Sequence, residues 1–182
     1  MMKRVSVVGL AGLAVIVAQL PLAANENAAP SIVVDGALPR TGTFGVDQLA
    51  ALGEIAVAWP KGEDAADWTG VPVSSLLAHL GLKPDEEVCE GVDAKVKRPG
   101  LRKALVVSAR DGYQTVFSMA ELFETFGSGQ VFLVWKKAGQ PLDAQEGPFR
   151  ILATEDKKPS RCVFQVVKFT VVDLAAQPTT DK

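Results

Sequence analysis

The side chains best suited to chemistry are scarce in this sequence, which has one histidine, His79, and two cysteines, Cys89 and Cys162. These residues are too few for a multi-cysteine zinc module or a four-thiolate iron–sulfur centre, and neither cysteine belongs to a haem-attaching Cys-x-x-Cys-His motif. A serine hydrolase would have to use His79 as its base, and the sequence has no Gly-x-Ser-x-Gly elbow. His79 lies near the end of a predicted helix, where the dipole favours positive charge, so we expect it to be exposed and non-catalytic.

The first 24 residues have the pattern of a secretory signal peptide. Lys3 and Arg4 form a basic start, Val5 to Leu20 is an uncharged run of 16 residues, and Ala23-Ala24 offers a cleavage site. A retained membrane anchor is the alternative, but it needs about 20 apolar residues. We therefore expect cleavage after Ala24, a periplasmic or secreted product, and no stable membrane span in that product.

The chain that remains after cleavage has 158 residues, enough for one domain, which we place at 31–174. The polar residues 175–182 are predicted to form a flexible tail. Loss of Lys3 and Arg4 changes the formal charge from −2 to −4. A slightly acidic protein lacks the basic excess that holds nucleic acid by counterion release, so nucleic acid is not an expected partner.

Export changes what the two cysteines are expected to do, because an oxidising compartment favours a disulfide between Cys89 and Cys162. Closing a loop between residues 73 positions apart would stabilise the fold by roughly 4 kcal/mol in the chain-entropy model. Two free buried thiols are the first alternative, and a metal-binding or catalytic thiol is the second. The structural disulfide is the favoured interpretation.

Hairpin and helix signals alternate irregularly along the domain, which predicts an α+β fold with a mixed β-sheet and short helices. Asp111-Gly112 between two β-type runs predicts a hairpin. Ser118 and Glu121 have the spacing of a capping box, which predicts a helix to about Phe126. Periodicity and turn residues predict further elements: strands at 31–34, 55–59 (buried), 131–135, 149–153 and 162–172, short helices at 46–52 and 73–80, and a polar loop at 61–67.

A cluster of basic residues lies at the end of the long, aperiodic segment 83–103. Its members are Lys95, Lys97, Arg98, Arg102 and Lys103. Loops of this length are usually functional or tethered, and the charge could attract an anionic ligand or partner. A solvated loop held by the Cys89 disulfide is the favoured interpretation.

Four local signatures occur in order along the domain: Trp68-Thr69-Gly70-Val71-Pro72-Val73-Ser74-Ser75-Leu76-Leu77, Ala109-Arg110-Asp111-Gly112-Tyr113, Ala138-Gly139-Gln140-Pro141-Leu142 and Glu146-Gly147-Pro148-Phe149-Arg150. With the closing strand after Arg161, this series resembles the oxidoreductase molybdopterin-binding domain of sulfite oxidases, plant nitrate reductases and bacterial periplasmic methionine-sulfoxide reductases. The likeness covers roughly Ile32 to Leu174. It implies the mixed α+β fold of sulfite oxidase-type molybdopterin-binding domains.

The resemblance also indicates which cofactor-binding residues are missing. Family members with molybdenum hold the metal through a cysteine thiolate after the strand that precedes the Trp-x-Gly motif, and this chain has Ala58-Trp59-Pro60-Lys61 there. Neither a tryptophan nor a proline can supply the soft thiolate. The family histidine before the Gly-x-Pro-x-Arg stretch is replaced by Gln145 and Glu146, and a carboxylate there would repel a pterin phosphate.

Two arginines are the candidate cofactor-binding or anion-binding residues that remain. Arg150 matches the family arginine, and Arg161 lies near the place of another basic residue. Either could bind an anion through its guanidinium fork, and a surface or ion-pair role is the alternative for each. No catalytic or metal-binding residue is assigned.

These observations lead to three hypotheses. The favoured one is an exported, non-catalytic protein with this fold that needs no cofactor and binds a small ligand or a periplasmic or membrane protein partner in the family cleft. The second is a molybdopterin-dependent periplasmic oxidoreductase with atypical or absent metal ligation. The third is an interaction protein that uses the basic Lys95–Lys103 surface, for example beside a membrane sensor or transporter.

Overall fold

The structure is a computed structural model that describes residues 29–60, 65–82 and 99–174. The predicted signal peptide at 1–24, the predicted tail at 175–182 and the segment 83–98 lie outside the described residues. None of the described helices is long and apolar enough to cross a membrane.

Strands dominate the described elements, and every helix is short. In chain order the elements are β1 (Ser31–Gly36), β2 (Gly42–Gly45), α1 (Val46–Ala50), β3 (Ile55–Trp59), β4 (Ala66–Pro72), α2 (Val73–His79), β5 (Lys103–Ala109), β6 (Gln114–Ser118), α3 (Met119–Leu122), β7 (Val131–Lys137), β8 (Gln140–Pro141), β9 (Arg150–Ala153) and β10 (Val166–Asp173). Single 3-10 turns occupy Pro99–Arg102 and Pro159–Arg161.

The described strands form two sheets. The first sheet has the order β2-β1-β10-β5-β6, and the second has the order β3-β4-β7-β8 with β9 also paired to β7. β1 and β10 are parallel, whereas the other pairs are antiparallel. The prediction of an α+β fold with a mixed β-sheet is therefore confirmed.

The main core fills the space between the two sheets, and the second sheet also buries its opposite face. Along β7, Leu133 and Trp135 enter the main core, whereas Phe132 and Val134 enter a smaller cluster with Val57, Trp68 and Leu152. A strand that buries both faces has an uninterrupted apolar sequence, as β7 does from Val131 to Trp135. The second sheet therefore separates two hydrophobic layers.

Several predicted elements match the structure closely. The hairpin turns at Asp111-Gly112 between β5 and β6, and the Asp111 side chain accepts a hydrogen bond from the Tyr113 backbone N–H at 2.8 Å. His79 is exposed at the end of α2, as expected. The capping box is present, because Ser118 and Glu121 each accept a hydrogen bond from the other's backbone N–H.

Other boundaries differ from the predictions for identifiable reasons. α3 ends at Leu122 rather than near Phe126, since Phe123 adopts an extended backbone. The predicted loop at 61–67 extends too far, because Ala66 and Asp67 already pair with β3. The last strand begins at Val166 rather than Cys162, because a 3-10 turn ends at Arg161 and Gln165 has a positive φ of 47°.

The prediction that 55–59 forms a strand is confirmed, but the prediction that this strand is buried is wrong. β3 lies at the edge of the second sheet, and Val57 is its one buried residue. An uncharged apolar run is compatible with either a central or an edge strand, so the sequence pattern could not separate the two.

Candidate functional site

A cleft of about 640 Å³ lies beside β3 and is called here the β3 cleft. Four consecutive strand residues, Ile55 to Ala58, form one wall. The other described lining residues come from the start of α2, from the loop before β7 and from the end of β9; they are Pro72, Ser74, Ser75, Glu124, Gly129, Gln130, Phe132, Thr154 and Glu155. The cleft is thus a mixed apolar and hydroxyl-rich surface with two carboxylates.

A second cleft of about 460 Å³, the Trp59 cleft, begins where β3 ends. Trp59 and Pro60 line it together with Asp156, Lys157 and Pro159, and Thr154 contributes to both clefts. Trp59 is held in place because its carbonyl oxygen accepts a 2.7 Å hydrogen bond from the Trp68 indole N–H. Ala58, Trp59 and Pro60, predicted to occupy the family's metal-ligand position, therefore lie where the two clefts meet.

Arg150 lies beneath this region in the smaller hydrophobic cluster, with only 6% of its surface exposed. Its guanidinium carbon is 4.8 Å from the centre of the Trp68 ring and 4.1 Å from that of Phe164. Its Nη1 donates a 2.5 Å hydrogen bond to Glu146, and Lys137 lies 3.5 Å from the same carboxylate. Burial lowers the pKa of Arg150, and the charge of Glu146 opposes this shift.

This environment explains Arg150 as a buried, paired charge. Glu146 neutralises one end of the guanidinium, and the aromatic faces supply cation–π contact that replaces hydration. The Nε atom is buried and makes no hydrogen bond. The anion-binding role of Arg150 remains a prediction, and the Glu146 pair competes with it.

Arg161 is also bound by carboxylates. Its Nε and Nη2 donate to the two oxygens of Asp156 at 2.8 and 2.6 Å, and its Nη1 donates to Glu121 at 3.0 Å. These hydrogen bonds, with Asp156 the largest contributor, raise the pKa of Arg161. A guanidinium whose three nitrogens all donate to carboxylates is poorly placed to bind a further anion. The anion contact of Arg161 therefore stays a prediction, and Asp156 and Glu121 compete with it.

Cys162 lines neither of these clefts but a third cavity of about 290 Å³, which Tyr113, Ser160 and Phe164 also line. The thiol is free and 5% exposed in the structure, and burial raises its pKa while a hydrogen bond from the Ala153 N–H opposes that change. Cys89 lies outside the described residues. The Cys89–Cys162 disulfide therefore stays a prediction.

Of the basic Lys95–Lys103 cluster, only Arg102 and Lys103 fall within the described residues. Arg102 forms a two-pronged ion pair with Asp173 at 3.0 and 3.2 Å. Lys95, Lys97 and Arg98 lie outside the described residues, so the interaction surface stays a prediction.

A family model for the oxidoreductase molybdopterin-binding domain matches residues 48–156, more than half of the chain. The chain belongs to this family. The match begins in α1 and ends after β9, so it includes the described lining of the β3 cleft, Arg150 and the Ala58-Trp59-Pro60 segment. The resemblance inferred from the four sequence signatures is thereby confirmed.

The fold agrees with this membership. The crystal structure of the sulfane dehydrogenase SoxCD from Paracoccus pantotrophus superposes with a TM-score of 0.56 at 16% sequence identity. The alignment covers 79% of this chain and 38% of the SoxCD chain, so this protein spans well under half of that enzyme's length. No curated protein matches significantly.

The described residues of the β3 cleft do not fit the family's molybdenum cofactor. That group needs a thiolate for its metal and cations for its anionic pterin phosphate. The lining of the β3 cleft instead presents Glu124 and Glu155, while Cys162 faces another cavity. Within the described ranges, no cluster of three or more histidine, cysteine or acidic residues could hold a metal.

Phe164 and Glu124 also belong to this region, and neither was predicted to do so. Glu146 was noticed only as a replacement for a family histidine, although it is the ion-pair partner of Arg150. Its position four residues before Arg150 was an available signal, but this spacing indicates contact only inside a helix. Here a turn at 144–146 and a bend at Pro148 bring the two side chains together outside any helix.

Proposed function

We propose that this chain is an exported, non-catalytic member of the molybdopterin-binding domain family that binds a small ligand or a partner segment in the β3 cleft. The observation that carries the proposal is the chemistry of the cleft: two carboxylates lie beside a strand end that reads Ala58-Trp59-Pro60. A retained cavity with replaced cofactor-binding residues supports binding without the family's redox reaction.

Purification from the native host grown with ample molybdate tests this function. Molybdenum is measured by elemental mass spectrometry, and pterin by fluorescence after oxidation. We expect both far below one equivalent per chain. A family enzyme that retains its metal-binding cysteine, purified from the same cells, is the matched control. Near-stoichiometric molybdenum and pterin in the present chain would overturn the proposal.

The second candidate function is a molybdopterin-dependent periplasmic oxidoreductase with atypical metal ligation, and membership in the family favours it. It predicts a visible absorption band and electron transfer to a reductant dye. The same purified sample distinguishes the two functions, because a colourless protein without dye-linked activity agrees with the first and contradicts the second.

A further inference from the structure

β3 has one free long edge among the described strands. One edge pairs with β4 at five successive positions, from Ile55 opposite Gly70 to Trp59 opposite Ala66. No described strand pairs with the other edge, because β3 is the outermost strand of its sheet. The backbone groups along that edge can therefore form a ladder with an added strand.

The β3 cleft reaches this free edge. Alternate side chains of a strand point to opposite faces, yet Ile55, Ala56, Val57 and Ala58 all line the cleft. The other lining residues also come from both faces of the second sheet. Phe132 belongs to the smaller cluster on one face, whereas α2 packs into the main core on the other. The cleft therefore runs along four successive residues of β3, the outermost described strand, and has lining from both sides of the sheet.

The edge also lacks the features that normally prevent another strand from pairing. Proteins protect edge strands with charged side chains, prolines or bulges. The sequence Ile-Ala-Val-Ala-Trp has no charge and no proline, and its pairing with β4 has no irregularity. Ile55, which is 38% exposed, and the small Ala56 and Ala58 leave room for an approaching backbone.

The charge beside the cleft selects among occupants. Glu124 is exposed, lines the cleft and forms no ion pair with any described residue, so its negative charge is available to an occupant. A second copy of the chain pairing through β3 would place the same carboxylates near each other, which is unfavourable. A positively charged strand would instead be complementary to this lining.

We propose that the β3 cleft binds an extended, basic segment of a partner protein, which adds to β3 as a further antiparallel or parallel strand. Backbone hydrogen bonds along β3 supply affinity, and a basic side chain of the segment faces Glu124. This inference rests on the proposed function, because it names the chemistry of the occupant of the same cleft.

Fluorescence anisotropy with three short labelled peptides tests the proposal on the protein purified from its host. The first alternates lysine with valine, the second alternates glutamate with valine, and the third alternates lysine with proline and so lacks half the backbone donors. We expect the lysine–valine peptide to bind at least about tenfold more tightly than either of the others. Equal binding of the acidic peptide, or of the proline peptide, would overturn the proposal.

Charge substitution locates the site. Glu124→Lys should weaken binding of the lysine–valine peptide by about tenfold. Asp47→Lys makes the same charge change at an exposed position of α1 that lines no described cavity, and should leave affinity unchanged. Equal effects of the two substitutions would contradict binding in the β3 cleft.

Hydrogen exchange should show slower exchange of the Ile55–Ala58 amides when the lysine–valine peptide is bound, and unchanged exchange there would also overturn the proposal.

The outcomes separate this inference from the function on which it rests. A cofactor-free protein that binds none of the peptides overturns the strand-addition proposal and leaves a small-molecule ligand for the cleft. Concentration-dependent dimers in which β3 amides become protected would identify a second copy as the occupant, which also overturns it. Near-stoichiometric molybdenum and pterin would overturn the proposed function itself.

Discussion

At the scale of single residues, Arg150 is a buried charge that its neighbours neutralise and cover. The guanidinium is surrounded by Trp68, Phe164 and Glu146 rather than by open cavity. Arg150 could be singled out from the sequence because it ends a recognisable signature. Its neighbours could not, since Phe164 lies next to a contact between distant parts of the chain, in which the Ile151 N–H donates to the Val163 carbonyl oxygen at 2.8 Å.

The substitution Glu146→Gln tests whether Arg150 depends on its carboxylate partner. Removing one charge of this pair leaves the other buried, so we expect a loss of roughly 2 kcal/mol in the free energy of unfolding. Urea denaturation measures it. Arg102→Gln breaks an exposed pair with Asp173 and should cost less than about 1 kcal/mol. A cost for Glu146→Gln no larger than that control would show that Arg150 is stable without its partner.

At the scale of secondary-structure elements, Gly70 of the Trp-Thr-Gly-Val-Pro signature has a packing role. A Cβ at this position would lie 2.7 Å from the Val134 Cα and would also collide with the Leu133 carbonyl oxygen. The close approach coincides with a bulge, because Thr69 pairs with Lys136 and Gly70 with Val134, leaving Trp135 as an extra residue in β7. The signature could be seen in the sequence, whereas the bulge depends on the partner strand and could not.

We expect Gly70→Ala to destabilise the fold by about 2–3 kcal/mol, because the added methyl group forces β4 away from β7. The change in the thermal or urea midpoint measures this cost. Gly45→Ala is a suitable comparison, since its added Cβ meets its nearest neighbour at an ordinary 3.7 Å, and it should cost less than about 1 kcal/mol. Similar costs at both positions would contradict a steric role for Gly70.

The parallel pairing of β1 with β10 makes stability depend on pH. Asp35 accepts a 2.8 Å hydrogen bond from Thr170 and forms a 2.8 Å ion pair with Lys168. Hydrogen bonding to Lys168 is the main cause that lowers the pKa of Asp35, followed by hydrogen bonding to Thr170. The pKa of Asp35 is lower in the folded protein than in the unfolded chain. The contribution of Asp35 to stability is therefore complete at pH values above its unfolded pKa, and it is lost as the pH falls through its folded pKa.

Comparison of the parent with Asp35→Asn should reveal that dependence. We expect the parent to be more stable at neutral pH and the difference to shrink below about pH 4. Denaturant unfolding at several pH values measures both. A difference that stays constant down to acidic pH would mean that Asp35 contributes through packing alone.

At the scale of the whole molecule, the sequence predicted the class of fold and most elements, because hairpin turns and capping boxes are local signals. It did not predict which strands occupy edges. β3 and β7 have similar apolar sequences, yet β7 buries both faces and β3 lies outermost. Sheet order depends on pairings distant in sequence, so the β3 cleft could not be located from local patterns.

The predicted Cys89–Cys162 disulfide would connect distant parts of the chain, and thiol counting tests it. Protein isolated from an oxidising compartment and then unfolded should show no free thiol if the bridge forms, whereas two thiols would contradict it. In Cys89→Ser, the single thiol of Cys162 should react with a disulfide reagent far more slowly in the folded protein than in denaturant, since it is buried with a raised pKa.

The placement of the tryptophans gives the molecule two separate optical reporters. Trp59 lies at the junction of the two clefts, and Trp68 packs against it through a hydrogen bond to its carbonyl oxygen. Trp135, by contrast, is buried in the main core. Occupancy of a cleft should therefore alter the emission of Trp59, while the emission of Trp135 follows unfolding, so single-tryptophan variants can separate the two events without any added dye.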